Sequence, residues 1–113
     1  MEQHYKLFRV RELADGDQDF ITMLAQTFLE EIPADAERLK EAVENNNYLA
    51  SYQTAHKMKP TVDLFELGVL QDLIEVQDWG KFEKKEMDIL PKLEKVLDAV
   101  ERATIEIRAD FNL

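Results

Sequence analysis

The chain has no cysteine, and only three glycines and three prolines occur among its 113 residues. Without cysteine it can form no disulfide, no thiolate metal site and no cysteine nucleophile. The scarcity of glycine and proline leaves little material for tight turns, so the composition favours a few long helices over many short strands. A chain of this length is expected to form a single domain with one core.

Basic residues are also in short supply, with 14 Lys and Arg against 24 Asp and Glu and a net charge of -10. This is the wrong sign for binding a phosphate backbone, where Lys and Arg supply the affinity. Nucleic acid and anionic membranes are therefore not expected partners. The segment Met1–Lys6 lacks the apolar run of a signal peptide, and no run of about 18 apolar residues occurs, so we expect a cytoplasmic protein.

The residue patterns of common enzyme sites are missing as well. Ser51 is the only serine and precedes His56 by five residues, which places the two on different faces of a helix. His4 and His56 lack the spacing of metal ligands, and His4 stands near the amino terminus without companions. The glycines are isolated, so no phosphate-binding loop is present. The sequence therefore does not favour hydrolysis, metal catalysis or nucleotide binding.

The apolar periodicity predicts helices with definite boundaries. A short cover over residues 5–13, with Tyr5, Phe8, Val10 and Leu13 as its apolar residues, is followed by Asp15-Gly16-Asp17, which supplies turn residues and a capping carboxylate for the next helix. Further helices are predicted over about 18–31, 34–44, 48–66, 69–79 and 89–107. The proposed breaks between them are Pro33, Asn45–Asn47, Gly68 and Trp79-Gly80, while Pro91 either opens or kinks the last helix.

Each predicted helix carries one apolar stripe that needs a partner. The residues at core-facing spacing are Phe20, Ile21, Leu24, Phe28, Ile32, Ala36, Leu39, Val43, Leu49, Ala55, Met58, Val62, Phe65, Leu73, Leu90, Leu93, Leu97, Val100 and Ile107. Such helices bury their stripes most simply as an antiparallel all-α bundle. We expect one domain over 1–113, with an amino-terminal cover at about 1–16 packed across one end of a bundle at about 17–110.

One stretch of the chain avoids negative charge. Tyr48 to Val62 contains Lys57 and Lys59 and no acid, although about three acids are expected there at the chain's average frequency. His56 lies within it, about 100° around the helix from core-facing Ala55, so its side chain should face solvent. A free imidazole is largely neutral near pH 7 and can act as a nucleophile, and Lys59 can attract a phosphoryl group attached to it.

Ala55-His56-Lys57-Met58-Lys59-Pro60 resembles the Ala-His-x-apolar-Lys-Gly motif of histidine phosphotransfer (HPt) domains, the carriers of bacterial multistep phosphorelays. The similarity extends over essentially the whole chain, through Asp17-x-x-Phe20, Phe28-Leu29, a proline-broken helix entry, the histidine on a third helix and a long last helix. The resemblance implies an up-and-down four-helix bundle. It also implies that His56 accepts a phosphoryl group from an aspartyl phosphate of one receiver domain and passes it to the aspartate of another.

The same resemblance implies a division of chemistry. The receiver brings the aspartate and Mg²⁺, so this chain needs no cofactor of its own and has no autonomous kinase or hydrolase activity. His56 is the phosphoacceptor and Lys59 the local cation for the phosphate. Receivers of hybrid histidine kinases and of response regulators would bind the monomeric carrier on a face that includes Tyr52, Gln53, Lys57 and Pro60. Gln53 could also hydrogen-bond the imidazole or the phosphate.

Three residues depart from the family pattern. Pro60 stands where the family usually has glycine, and it has no N–H to donate to the His56 carbonyl, so a kink is possible there. Asp63 and Glu66 stand where the family has small residues. Asp63 lies seven residues after His56, on nominally the same face, where a carboxylate would repel phosphate.

Other functions fit the same residues. A non-catalytic adaptor could bind a kinase or receiver through this face, and His56 and Lys59 would then be expendable. The phosphorylated domain of a chemotaxis-type kinase uses a similar bundle, but a catalytic domain would follow it, and the sequence ends at Leu113. The dimerising helices of a sensor kinase usually have an acid directly after the histidine, where this chain has Lys57. We expect the self-standing carrier.

Overall fold

Helices account for most of residues 4–113, the range that the structure, a computed structural model, describes. In this range there are five α-helices and no β-strand, which confirms the all-helical class. The helices are α1 Phe8–Ala14, α2 Gln18–Glu44, α3 Tyr48–Leu64, α4 Leu70–Lys81 and α5 Leu90–Asp110. Met1, Glu2 and Gln3, part of the predicted amino-terminal cover, lie outside the described residues.

Side-chain caps begin α2 and α3. Asp17 Oδ1 accepts hydrogen bonds from the backbone N–H groups of Asp19 and Phe20 at 3.0 and 3.3 Å, so Asp17 supplies the capping carboxylate predicted within Asp15-Gly16-Asp17. Asn47 Oδ1 accepts one from the N–H of Ala50 at 3.1 Å. These caps satisfy N–H groups that have no partner within the helix. Pro91 lies in the first turn of α5, so it opens that helix.

The helices end in left-handed residues that are not glycine, namely Asp15, Asn46, Glu66, Glu83 and Asn112. At the end of α4, Lys84 N–H donates to the Trp79 carbonyl at 3.0 Å and Glu83 N–H to the Gly80 carbonyl at 3.3 Å. This pair of bonds is a Schellman motif, which satisfies carbonyls of the last turn. Asn46 closes α2 in the same way, which confirms the predicted stop at Asn45–Asn47.

The prediction that Pro33 restarts the chain is wrong. α2 is a single helix of 27 residues with Pro33 inside it. Because proline has no N–H, the carbonyl of Leu29 loses its usual donor, at a cost of about 3 kcal/mol. The apolar stripe is buried on both sides of the proline, from Phe28 to Leu39. Each large apolar side chain contributes about 1.5–3 kcal/mol when buried, which offsets the defect and keeps the helix continuous.

Most of the apolar residues predicted for the core and for the amino-terminal cover are buried or packed against the core, but four of them are exposed. Phe8, Leu13, Leu49 and Leu90 are exposed, and each lies in a terminal turn of its helix, where no neighbouring helix covers it. Helical periodicity identifies the apolar face but not how far a neighbouring helix extends. The confirmed core residues include Tyr5, Val10, Ile21, Phe28, Ile32, Leu39, Val43, Ala55, Met58, Val62, Phe65, Leu73, Leu93, Val100 and Ile107.

The longer helices contact one another in a closed order: α2 with α3, α3 with α4, α4 with α5, and α5 with α2. The amino-terminal segment packs on them, since α1 contacts α2 and Lys6 N–H donates to the Phe65 carbonyl at 2.8 Å. The molecule measures 45 × 22 × 20 Å, and its long axis matches the roughly 40 Å length of α2. None of the helices in residues 4–113 combines the length and apolar character needed to cross a bilayer.

α4 ends at Lys81, one residue after Gly80, which confirms the helix stop predicted at Trp79-Gly80. Gly80 lies in the last turn of α4 and packs against the backbone of α3. A Cβ atom on Gly80 would stand 2.5 Å from the Tyr48 carbonyl oxygen and 2.7 Å from the Tyr52 nitrogen. The missing side chain therefore permits the closest approach of α3 and α4.

A buried carboxylate joins α2 to α3. Asp35 is 2% exposed, and its Oδ1 accepts hydrogen bonds from Arg38 Nη1 at 2.6 Å and from Lys57 Nζ at 3.1 Å. Both cations remain mostly in solvent, so only the carboxylate loses its hydration. Because a buried charge is costly without partners, these two bonds are needed to keep Asp35 in place.

Asp35→Asn is expected to lower the free energy of unfolding by about 1–2 kcal/mol, because two charge-assisted hydrogen bonds become neutral ones. The volume hardly changes, so no cavity contributes to this loss. Denaturant unfolding measures it, with Asp98→Asn as the control. Asp98 pairs with Arg102 at 3.0 Å in solvent and should cost no more than about 0.5 kcal/mol. Equal losses for the two variants would contradict the importance of the Asp35 cluster.

Candidate functional site

His56 lies near the middle of α3 with an exposed side chain, as its position beside Ala55 predicted. Ala55 and Met58 are fully buried and define the inward face of the helix, so the side chain of His56, directly after Ala55, points outward. Ser51 is buried, and its Oγ donates to the Asn47 carbonyl at 2.8 Å. The serine is therefore engaged elsewhere, as the sequence separation indicated.

Gln77 of α4 contacts the imidazole of His56. The distance between His56 Nδ1 and Gln77 Oε1 is 3.2 Å, and Gln77 is 8% exposed. Gln77 Nε2 donates to Asp78 Oδ1 at 3.3 Å, which orients the amide so that its oxygen faces the ring. An amide oxygen can only accept, so this contact favours the tautomer with the proton on Nδ1. In that tautomer Nε2 has a free lone pair.

Aromatic and basic side chains border His56 on the side of the α3 amino terminus. The Tyr52 ring lies one turn before His56, with 5.8 Å between the two ring centroids. From α4, Lys81 Nζ lies 6.0 Å from the centroid of the Tyr52 ring. The close α3/α4 approach at Gly80 thus brings a second helix to the edge of the site.

The two lysines of the motif have different surroundings. Lys57 Nζ is bound to Asp35 of α2, which holds it on the side of α3 that faces α2. Lys59 is half-buried and forms no ion pair with any carboxylate in residues 4–113. Lys59 is therefore the cation of the motif that remains available to a phosphate.

Asp63 is neutralised by a residue of α1. Arg9 Nη1 donates to Asp63 Oδ1 at 2.8 Å and to the Asp63 carbonyl at 3.2 Å. The hydrogen bond and the charge of Asp63, with a smaller attraction from Glu66, raise the pKa of Arg9 above its ordinary value. This exposed pair adds little stability, but it reduces the repulsion that Asp63 would exert on a phosphate. Glu66 lies beyond the end of α3, in a left-handed conformation.

Pro60 is exposed and lies inside α3, which continues to Leu64. The carbonyl of His56 consequently has no N–H donor at position 60. The carbonyl oxygen of His56 thus lacks its usual helical hydrogen bond, while the helix itself continues.

Gln53 is exposed and makes no hydrogen bond to His56 among the described residues, so that contact is supplied by Gln77 instead. A contact of Gln53 with bound phosphate stays a prediction. The contacts of Gln77, Asp35 and Arg9 were not predicted from the sequence. Two of these residues could have been identified as buried polar residues, since Gln77 follows Leu73 by four residues and Asp35 follows Ile32 by three, which places them on apolar stripes.

His4 has a partner, contrary to the expectation that it has none. Its backbone N–H donates to Glu106 Oε1 at 2.7 Å, and its Nδ1 contacts Glu106 Oε2. This interaction holds the start of the described chain against α5. It gives His4 a structural role at a site separate from His56.

No group of three or more His, Asp or Glu side chains in the described residues is arranged to hold a metal ion. Compared with protein-family models, with curated proteins and with solved structures, the chain matches none. The geometry around His56 is therefore the basis on which a function can be assigned.

Proposed function

We propose that this protein is a histidine-containing phosphotransfer protein of a two-component phosphorelay. His56 would accept a phosphoryl group from the aspartyl phosphate of one receiver domain and pass it to the aspartate of another. The observation that carries the proposal is the exposed imidazole whose Nδ1 is held by Gln77, with the unpaired Lys59 one turn away. We further propose a cytoplasmic monomer whose partners are receivers of hybrid histidine kinases and response regulators.

The helix arrangement supports the finer fold assignment, an antiparallel up-and-down four-helix bundle with α1 covering one end. The closed order of contacts from α2 to α5 is that of a four-helix bundle. Gly80 lies beside Tyr48 while Gln77 lies beside His56, so α3 and α4 run in opposite directions. A histidine on the outside of such a bundle is open to the active site of a second protein.

The chemistry follows from the protonation of the ring. Nε2 attacks the phosphorus, the bond between phosphorus and the aspartate oxygen breaks, and the aspartate leaves as a carboxylate. Nε2 carries no proton, so none has to be removed from it during the attack. Gln77 Oε1 accepts a hydrogen bond from Nδ1–H and stabilises the positive charge that the ring acquires. Mg²⁺ and the aspartate belong to the receiver.

Lys59 should accelerate transfer without being essential. Its attraction for a phosphate 4 Å away is worth about 1 kcal/mol in water and about 4 kcal/mol at the effective dielectric of a protein surface. Lys59→Ala is therefore expected to slow transfer about 10- to 100-fold, and Lys59→Arg to retain most of the rate. Rapid-quench kinetics with a phosphorylated receiver measures this.

Lys95→Ala is the matched control, because Lys95 is exposed on α5, which packs on α2 and α4 and stands across the bundle from α3. A Lys59→Ala variant as fast as the parent, or a Lys95→Ala variant that is equally slow, would contradict the role given to Lys59.

The direct test is the intact mass of the purified protein after mixing with phosphorylated receivers and Mg²⁺. Gain of one acid-labile phosphoryl group supports the carrier. A protein that binds receivers but never gains phosphate would instead be an adaptor acting through the same face. Size-exclusion chromatography tests the monomer, and a stable dimer would favour the dimerising helices of a sensor kinase.

A further inference from the structure

The exposed face of α3 does not end at His56. Leu49, Tyr52, His56 and Lys59 follow one another at intervals of three or four residues, so they lie along one side of the helix. Leu49 is 65% exposed although the periodicity placed it in the core. His56 therefore shares its face with an apolar side chain that residues 4–113 leave mostly exposed.

The end of α4 extends this surface. Lys81 Nζ lies 6.0 Å from the centroid of the Tyr52 ring and 5.3 Å from that of Phe82, so one ammonium is flanked by two aromatic rings. Phe82 is 62% exposed. Leu49, Tyr52 and Lys81 also line a groove of about 460 Å³, which is bordered by Glu83 after α4 and by Asn46 and Asn47 before α3. We call Leu49, Tyr52, Lys81 and Phe82 the shelf.

The position of the shelf is well defined. The Schellman motif closes α4 immediately after Phe82, through the N–H groups of Glu83 and Lys84. Gly80 holds the last turn of α4 against the backbone of α3. The backbone that presents Lys81 and Phe82 therefore does not have to be ordered when a partner binds, which favours affinity.

We propose that the shelf selects the receiver that docks on His56. It would do so by binding an apolar surface element of that receiver, next to which the receiver carries a carboxylate that lies opposite Lys81. This inference rests on the proposed phosphotransfer function. Lys81 forms no ion pair within residues 4–113, so its charge is open to an acidic group. Exposed aromatic and apolar side chains beside a cation are typical of the residues that dominate protein interfaces.

The overall charge argues for a protein partner. A chain with a net charge of -10 is repelled by extended anionic surfaces such as DNA or an anionic bilayer. A protein partner of limited contact area can place one carboxylate opposite Lys81 while the acidic remainder of this chain stays in solvent. Because the shelf begins one turn from His56, the same receiver covers both.

The test compares Phe82→Ser with Ile105→Ser. Ile105 is also 62% exposed but lies on α5, which packs on α2 and α4 and so stands across the bundle from α3. A panel of purified receivers is titrated in the unphosphorylated state, and transfer from the phosphorylated receivers gives kcat and KM. Phe82→Ser is expected to raise Kd and KM about five- to tenfold and to leave kcat within about twofold of the parent. Ile105→Ser should change none of them.

Lys81→Glu tests the charge, with Lys95→Glu on α5 as its control. Lys81→Glu should weaken binding about tenfold and reduce the dependence of Kd on salt, whereas Lys95→Glu should leave Kd within about twofold. Parent-like Kd values for Phe82→Ser and Lys81→Glu, or equal effects of the controls, would overturn the shelf. Loss confined to kcat would also overturn it, since it would place these residues in the chemistry.

The shelf and the phosphotransfer function can fail separately. A receiver that binds through the shelf but transfers no phosphoryl group overturns phosphotransfer and leaves the shelf supported. Phosphoryl transfer that is unaffected by the shelf variants overturns the shelf and leaves phosphotransfer supported. Absence of binding to every receiver overturns the shelf. Binding of the parent, but not of Lys81→Glu, to phosphatidylserine vesicles or to duplex DNA would overturn the assignment of a receiver as the occupant.

Discussion

His56→Gln is expected to abolish phosphorylation of the protein while leaving it folded. Transfer requires a ring nitrogen with a free lone pair, and an amide side chain has no comparable nucleophile. The side chain is exposed, and a single hydrogen bond of 3.2 Å joins it to Gln77. The free energy of unfolding should therefore change by no more than about 1 kcal/mol. Intact mass after incubation with phosphorylated receivers and a chemical denaturation curve give the two readings.

His4→Gln is the matched control, because it makes the same substitution at the other histidine. It should be phosphorylated to the same extent as the parent, since His4 interacts with Glu106 on α5 and not with the site. Acid-labile phosphate on the His56→Gln variant would show that another residue is the acceptor. Loss of cooperative unfolding in that variant would show instead that His56 is a structural residue.

Gly80→Ala is expected to destabilise the protein by about 2–3 kcal/mol, although alanine is the better helix former by about 1 kcal/mol. The added Cβ would meet backbone atoms of Tyr48 and Tyr52 at 2.5 and 2.7 Å, and backbone of a packed helix cannot move aside as a flexible side chain can. The two helices must separate along their contact. Denaturant unfolding measures the loss of stability.

Gln71→Ala provides the control for Gly80→Ala. Gln71 is exposed on the same helix, so alanine there alters only helix propensity and should leave stability within about 0.5 kcal/mol. A Gly80→Ala variant at least as stable as the parent would mean that α3 and α4 separate at little cost. Glycine would then stand at position 80 for a reason other than close packing.

The helical class and most core positions could be predicted because they depend on local patterns. The confirmed core residues repeat at helical spacing, and Asp17 and Asn45–Asn47 mark helix boundaries by the chemistry of their own side chains. Pro33 was misinterpreted as a break. Its local preference is overruled by tertiary packing, through the long buried stripe of α2.

The site was predictable in part for the same reason. Exposure of His56 follows from its place beside Ala55, and the spacing to Lys59 is a property of one helix. Gln77 lies 21 residues from His56, and Arg9 lies 54 residues from Asp63. Contacts between helices depend on how the helices pair, which sequence spacing within one helix does not determine. Leu49 shows the same dependence on a neighbouring helix. Its apolar character predicted burial, but it is exposed because the neighbouring helix does not extend over it.

Two consecutive residues tie α3 to two different neighbours: His56 contacts Gln77 of α4, and Lys57 contacts Asp35 of α2. Successive residues project about 100° apart around a helix axis, so any rotation of α3 about its own axis strains one of these contacts. In-line transfer tolerates angular errors of only about 10–20° in the groups that react. Asp35 and Gln77 together oppose rotation of α3, so removing Asp35 is expected to widen the range of directions in which Nε2 points, even where the fold persists.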